Sequence, residues 1–218
     1  MKEPEKRDGY ATVEERSRRE IVIQRSRFIG ECAPVHSPEE AARFVESVKK
    51  AMPDASHHCY AYVVGKNRGV QRSTDDGEPS GTAGVPILQV LNMNELTDVA
   101  LVVTRYFGGV LLGAKGLVRA YSRSAAEAVK AARPVFMEAT DLLSLTVDYP
   151  LWGKLEYELK AQPVKVAEVI YASDVTVNLK VRKRDRAAFV DRIVNRTEGR
   201  VRLAEGESEH LPWEIEID

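Results

Sequence analysis

The chain has 218 residues, 44% apolar and 30% charged, and its 32 Lys and Arg against 33 Asp and Glu leave a formal net charge of -1. That length can bury a core in one large or two smaller domains, and the balanced charge excludes both a disordered polyelectrolyte and a globally basic nucleic-acid binder, so any contact with RNA must rest on a local patch. The two cysteines, Cys32 and Cys59, form no Cys-x-x-Cys pair, the charged opening Met1 to Glu20 has no signal-peptide apolar run, and no later stretch reaches ~20 apolar residues. A cytoplasmic protein with reduced thiols and no membrane contact is expected.

After a charged lead-in over 1–18, the β-rich runs Ile21 to Ile23 and Phe28 to Val35 read as a hairpin turning at Arg25 and Ser26. Ser37, Pro38 and Glu40 have the pattern of a capping box with proline in the first turn, so a helix should run to about Met52, with Ala41, Val45, Val48 and Met52 on one face and Pro53 ending it. His58 to Val64 reads as a strand and Gly65 to Gly84 as one long aperiodic loop. A helix over Val85 to Asn92 follows. Val99 to Val103 is an unbroken apolar run, the pattern of a central strand covered on both faces. Leu117 to Ala132 is amphipathic, with Leu117, Tyr121, Ser124, Ala128 and Ala131 on the packing face and Arg119, Arg123, Glu127 and Lys130 opposite.

Pro134 marks a boundary between a domain over 19–133 and a second over 134–204, because the pattern then restarts. It runs as strand (Val135 to Val147), helix (Leu151 to Ala161), strand (Val164 to Tyr171), strand (Val175 to Val181), helix (Arg186 to Asn195) and strand (Arg200 to Leu203). That βαββαβ order is ferredoxin-like, giving an α+β fold class. Residues 205–218 hold six acids, yet Leu211, Trp213, Ile215 and Ile217 alternate, which fits an added edge strand or a tail.

Two segments stand out for chemistry. Ser73 to Gly84 crowds Asp75, Asp76, Glu78, Ser80 and Thr82 among glycines directly before a helix. Its amides and acids suit an anionic or metal-bridged ligand, and equally suit a structural turn that caps the helix. Thr104 to Arg119 follows the central strand and offers Arg105, Tyr106, Lys115 and Arg119 among four glycines, either as an anion-binding turn or as packing in which Arg105 bridges the acidic loop. The two blocks are expected to form one site. His57, His58 and Cys59 are neighbours in a strand and alternate faces, so no metal site and no cofactor is expected from them. Cys59 in an apolar strand reads as a small buried hydrophobe rather than a nucleophile. In the second domain Arg182, Lys183 and Arg184 form a basic run that is either solvated surface or a contact for phosphate backbone.

The stretches Asp75-Asp-Gly-Glu-Pro-Ser-Gly-Thr-Ala-Gly84 and Thr104-Arg-Tyr-Phe-Gly-Gly109, followed by Leu112-Gly and Gly116-Leu-Val-Arg-Ala-Tyr121, resemble the two signature blocks of the IMPACT/YigZ family. The resemblance implies a first domain like the second domain of ribosomal protein S five, and a ferredoxin-like second domain similar to a late domain of elongation factor G. It further implies a translation-linked binding protein that contacts RNA or the ribosome rather than an enzyme. An enzyme using the acidic loop and a protein-interaction module without nucleic acid are the alternatives. The resemblance extends to eukaryotic relatives similar to regulators that restrain a translation-controlling kinase by competing for its activator. A chain of this length has no room for their extra N-terminal recognition domain, so kinase control is not expected of it.

Overall fold

A computed structural model describes residues 8–215, which fold as two units: Gly9–Met137 with 212–215, and Glu138–Leu211 with Asp8. The expected contributions of residues 1–7, and of Ile217 at the end, lie outside the described residues.

In the first unit, five strands form an antiparallel sheet: β2 (Ser17–Ile23), β3 (Ser26–Pro34), β4 (His57–Val64), β5 (Val70–Thr74) and β6 (Val99–Tyr106). Their order is β2-β3-β6-β4-β5, so β6 is central as its apolar run predicts. The alternation of that run decides what covers it. Val99, Leu101 and Val103 point into a core with helices α2 (Gly84–Met93) and α3 (Gly113–Ala131), while Ala100 and Val102 face α1 (Pro38–Ala51) on the opposite side. The β2–β3 turn is closed by Gln24 and Arg25, both at positive φ, as a two-residue hairpin of right-handed twist requires. At the start of α1 the Ser37 side chain accepts from the Glu40 N–H, but Glu40 reaches back to the N–H of His36, one residue before the capping-box partner.

Three sequence expectations change here. The charged lead-in contains a strand, β1 (Gly9–Val13), which pairs with β7 (Pro134–Val147). The long loop is interrupted by β5, an exposed edge strand whose backbone pairs with β4 although its side chains give no alternation signal. Helix α3 begins a turn before Leu117, so Lys115 and Gly116 are helical rather than part of a loop.

The second unit is ferredoxin-like. Along the chain come β7, α4 (Tyr149–Lys160), β8 (Val164–Tyr171), β9 (Val175–Arg182), α5 (Arg186–Arg196) and β10 (Arg202–Glu214), with β9 between β7 and β8 and β10 on the other side of β7. Leu143, Leu145 and Val147 of β7 and Val177, Leu179 and Val181 of β9 turn the same way, onto Leu151, Leu155, Phe189 and Ile193 of the helices. The expected fourth strand and the acidic stretch beyond it are one continuous strand, β10, up to Glu214.

Candidate functional site

The turn after β5 is organised by one carboxylate. Asp75 Oδ1 accepts from the N–H groups of Ala83 and Gly84, at 3.0 and 2.8 Å, and Oδ2 accepts from that of Gly81 at 2.8 Å. It thereby ties the loop shut and supplies the cap that Ala83, at the N-cap of α2, lacks. Burial opposes the charge on Asp75, but the N–H groups of Gly81, Gly84 and Ala83 outweigh it and hold the pKa below the ordinary carboxylate range. Asp76 and Gly77 take positive φ, so the chain reverses tightly. The Asp76 carboxylate accepts from the His58 N–H at 2.7 Å. Its carbonyl lies 2.8 Å from His57 Nδ1; a carbonyl only accepts, so Nδ1 carries the proton. That reversal aims Glu78 inward.

Glu78 meets Arg105. Across the sheet Phe28, Arg105 and His57 are register partners on β3, β6 and β4, which puts the three side chains in one row on one face. Arg105, 5% exposed, donates from Nη1 to Glu78 Oε1 at 2.7 Å, and its guanidinium lies between the rings of Phe28 and Phe107, 5.5 and 5.4 Å from their centroids. Tyr121 of α3 donates to the same Glu78 oxygen at 2.7 Å. Burial, then neighbouring Cys59, push the Tyr121 hydroxyl far above its usual range, so it stays protonated as a donor. Burial likewise pushes the Cys59 thiol up to about 12, and a neutral thiol is no nucleophile.

The Glu78–Arg105 pair forms one wall of a cleft of about 480 Å³, completed by Ser56, His57, Phe107 and Leu112 together with the opening turn of α3. His57 Nε2 faces Glu78 Oε1 at 3.9 Å.

The expected site residues thus separate. Glu78 and Arg105 come together in the cleft, whereas Asp75 spends both oxygens on backbone N–H groups, and Asp76 Oδ2 accepts from the His58 N–H and lies 3.9 Å from His58 Nδ1. Thr82 donates to the Pro79 carbonyl at 2.6 Å, and Ser80 is exposed. Tyr106 points to the other face of the sheet, bonded to Asp54 and covered by Arg27. Lys115 and Arg119 are exposed on α3 and, among the described residues, make no ion pair with the acidic loop. Sequence reasoning weighed His57 only as a metal ligand and Phe107 and Tyr121 only as packing residues, because their place at the cleft depends on strand register and on the entry of α3. Among the described residues no three His, Cys, Asp or Glu side chains converge to hold a metal ion.

In the second unit the basic run is partly neutralised. Arg182 and Arg184 both pair with the buried Glu138, at 3.5 and 3.0 Å, and with Asp185, while Lys183 is exposed.

Comparison with known proteins fits both blocks into one family. The family model described as Impact N-terminal domain matches residues 24–129, which contain the whole cleft, and the chain is 41% identical to IMPACT family member YvyE of Bacillus subtilis over 93% of its own length and 94% of that protein's. The chain belongs to the IMPACT family. A second family model, a domain of unknown function, matches residues 145–200 in the ferredoxin-like unit. IMPACT family member YigZ of Escherichia coli is 46% identical over half of this chain and 54% of its own. A solved structure titled as that of a hypothetical protein aligns over 91% of this chain and 98% of its own at 30% identity, with a TM-score of 0.57. Among the described residues no helix is long and apolar enough to cross a membrane.

Proposed function

We propose that this IMPACT family member is a cytoplasmic regulatory binding protein of translation, that it contacts RNA or the ribosome, and that the Glu78–Arg105 cleft is its recognition site. The observation that carries the reading is that both family blocks fold onto one buried ion pair opening on a cleft beside Phe107 and Leu111, which are 49% and 86% exposed. Phe107 covers the Arg105 guanidinium with its ring yet is half exposed, and exposed apolar patches of this kind characteristically mark binding surfaces. Membership in a translation-related regulatory family supports the choice of partner. Sedimentation with ribosomes over a salt series, with and without nuclease, tests it. Co-sedimentation that falls steeply with salt and disappears after nuclease treatment is expected. Its absence at low salt refutes the reading.

One observation favours a second, enzymatic reading. The Asp76 carbonyl holds His57 Nδ1 as a donor, which leaves Nε2, 3.9 Å from Glu78 Oε1, as the ring nitrogen that a substrate proton could reach at the cleft wall. Turnover abolished by His57→Gln, with ribosome contact retained, would separate this reading from the first.

A further inference from the structure

Helix α3 carries a row of cations that the folded chain leaves unmatched. Lys115, Arg119 and Arg123 recur every four residues and are exposed, so they form one stripe with steps of about 6 Å and a length of about 12 Å. Among the described residues none of the three makes an ion pair, whereas Arg16, Arg27, Arg43 and Lys49 of the same unit each pair with a carboxylate. Glu127, the only acid of the helix, lies beyond Arg123. Like charges four residues apart on a helix repel, and Lys115 stands in the first turn, where the dipole disfavours a cation. The fold itself gives no reason for the row.

A fourth cation joins it from the sheet. Arg19 of β2 is the register partner of Gly30 on β3, and directly opposite residues share a face. A Cβ on Gly30 would lie 2.7 Å from the Ser124 carbonyl oxygen and 2.9 Å from the Ala128 Cβ, so that face packs on α3 and the exposed Arg19 sits beside the Arg123 end of the stripe. At the other end Gly113 and Ala114, directly before Lys115, line the cleft together with the half-exposed ring of Phe107. A line of positive charge that leads to an open aromatic ring suits a single-stranded nucleic acid, whose phosphates follow the charge and whose unpaired bases stack. Over about 12 Å one strand presents about three to four phosphates, which matches the cations available. A helix lying on an anionic membrane buries its apolar face in the lipid, but the apolar face of α3, with Leu117, Tyr121 and Ala128, is already packed in the core.

We propose that α3 is a docking surface for single-stranded RNA, with Lys115, Arg119, Arg123 and Arg19 meeting successive phosphates and Phe107 receiving a base at the mouth of the cleft. The inference rests on the preceding reading in taking RNA as the partner, and adds the surface and the strandedness. The phosphate contacts fix where the strand lies, and the cleft meets the base that arrives there.

Fluorescence anisotropy of the full chain with a labelled oligouridylate of about 12 nucleotides, followed over a salt series, tests it. Wild type should bind saturably at low salt. Replacing Lys115, Arg119 and Arg123 together by glutamine should weaken binding at least about tenfold and flatten the log–log salt slope by about two units, without lowering the unfolding midpoint. The control replaces Arg43, Lys50 and Arg72 by glutamine, which removes the same charge from the α1 side of the sheet, since Arg72 is the register partner of Tyr62 in the α1 core. It should leave affinity and slope in place. Duplex RNA of the same length and phosphatidylserine vesicles should compete at least about tenfold more weakly. Absence of saturable binding, an unchanged slope in the α3 variant, an equal loss in the control, or either competitor acting as strongly as the single strand overturns the proposal. Ribosome contact that keeps its salt slope in the α3 variant refutes this inference alone, and α3-dependent RNA binding without ribosome contact refutes the translation reading alone.

Discussion

At the scale of single residues, the carboxylates of the first block do different work because they meet different partners. Asp75 binds three backbone N–H groups, so Asp75→Ala should cost about 0.5–2 kcal/mol at neutral pH, as loss of a helix cap does. The pH dependence has a definite sign. The folded pKa is depressed, so the stabilisation is complete above the unfolded value of about 3.9 and is lost as pH falls through the lower folded value. Urea denaturation should therefore show the gap between wild type and variant narrowing towards the acid end; a gap unchanged there contradicts the assignment. Glu78 faces a buried cation instead. Arg105→Met strands its carboxylate and should cost about 3–5 kcal/mol, whereas Tyr121→Phe removes a neutral donor and should cost about 1 kcal/mol. Adding Glu78→Leu to Arg105→Met should recover part of the loss, and a double variant as damaged as the sum of the singles would show that the two side chains act independently.

At the scale of elements, the turn between β6 and α3 places Phe107 and the helix entry at the cleft, and two adjacent glycines there have different reasons to be glycine. A Cβ on Gly108 would lie 2.1 Å from the Arg25 carbonyl carbon and 2.2 Å from its oxygen, backbone atoms that have no side-chain freedom to yield. Gly109 has φ +79 and open space around it. Gly109→Ala should therefore cost only about 1–2 kcal/mol for its left-handed backbone, while Gly108→Ala should cost more and displace the β2–β3 turn. Thermal unfolding of the two variants compares them, and equal losses would mean the Arg25 contact is not what holds the turn. The elements that sequence patterning located well, α1, β6 and the ferredoxin-like helices, have buried faces whose periodicity is written in side chains. Of those it missed or divided, β5 and β10 are largely exposed strands held by backbone pairing, which leaves little trace in side-chain identity, while β1 is a five-residue strand inside the charged lead-in.

At the scale of the whole molecule, the basic run of the second unit has to be tested in a way that respects its ion pairs. Replacing Arg182 and Arg184 along with Lys183 by alanine removes both cations paired with Glu138, whose side chain is 6% exposed, so that variant should be destabilised and Glu138→Gln should restore part of the loss. Lys183→Ala alone should leave the unfolding midpoint in place and make any ribosome binding less steeply dependent on salt, by about one unit in the log–log slope if Lys183 contacts a phosphate. An unchanged slope removes Lys183 from the contact surface. The sequence by itself determined the α+β class, the central strand, the βαββαβ order and the two blocks that carry the family, because each is recorded in local periodicity, turn chemistry or an uninterrupted run of residues. Only the tertiary structure decided which members of those blocks meet. The register of β3, β4 and β6 aligns Phe28, Arg105 and His57, and the reversal at Asp76 and Gly77 turns Glu78 inward, while Asp75 closes its own loop, Tyr106 takes the opposite face, and Lys115 and Arg119 stay on the outside of α3. Pairing across strands joins residues far apart in the chain, and a one-residue shift of register would exchange the faces, so no local feature of the sequence specifies it.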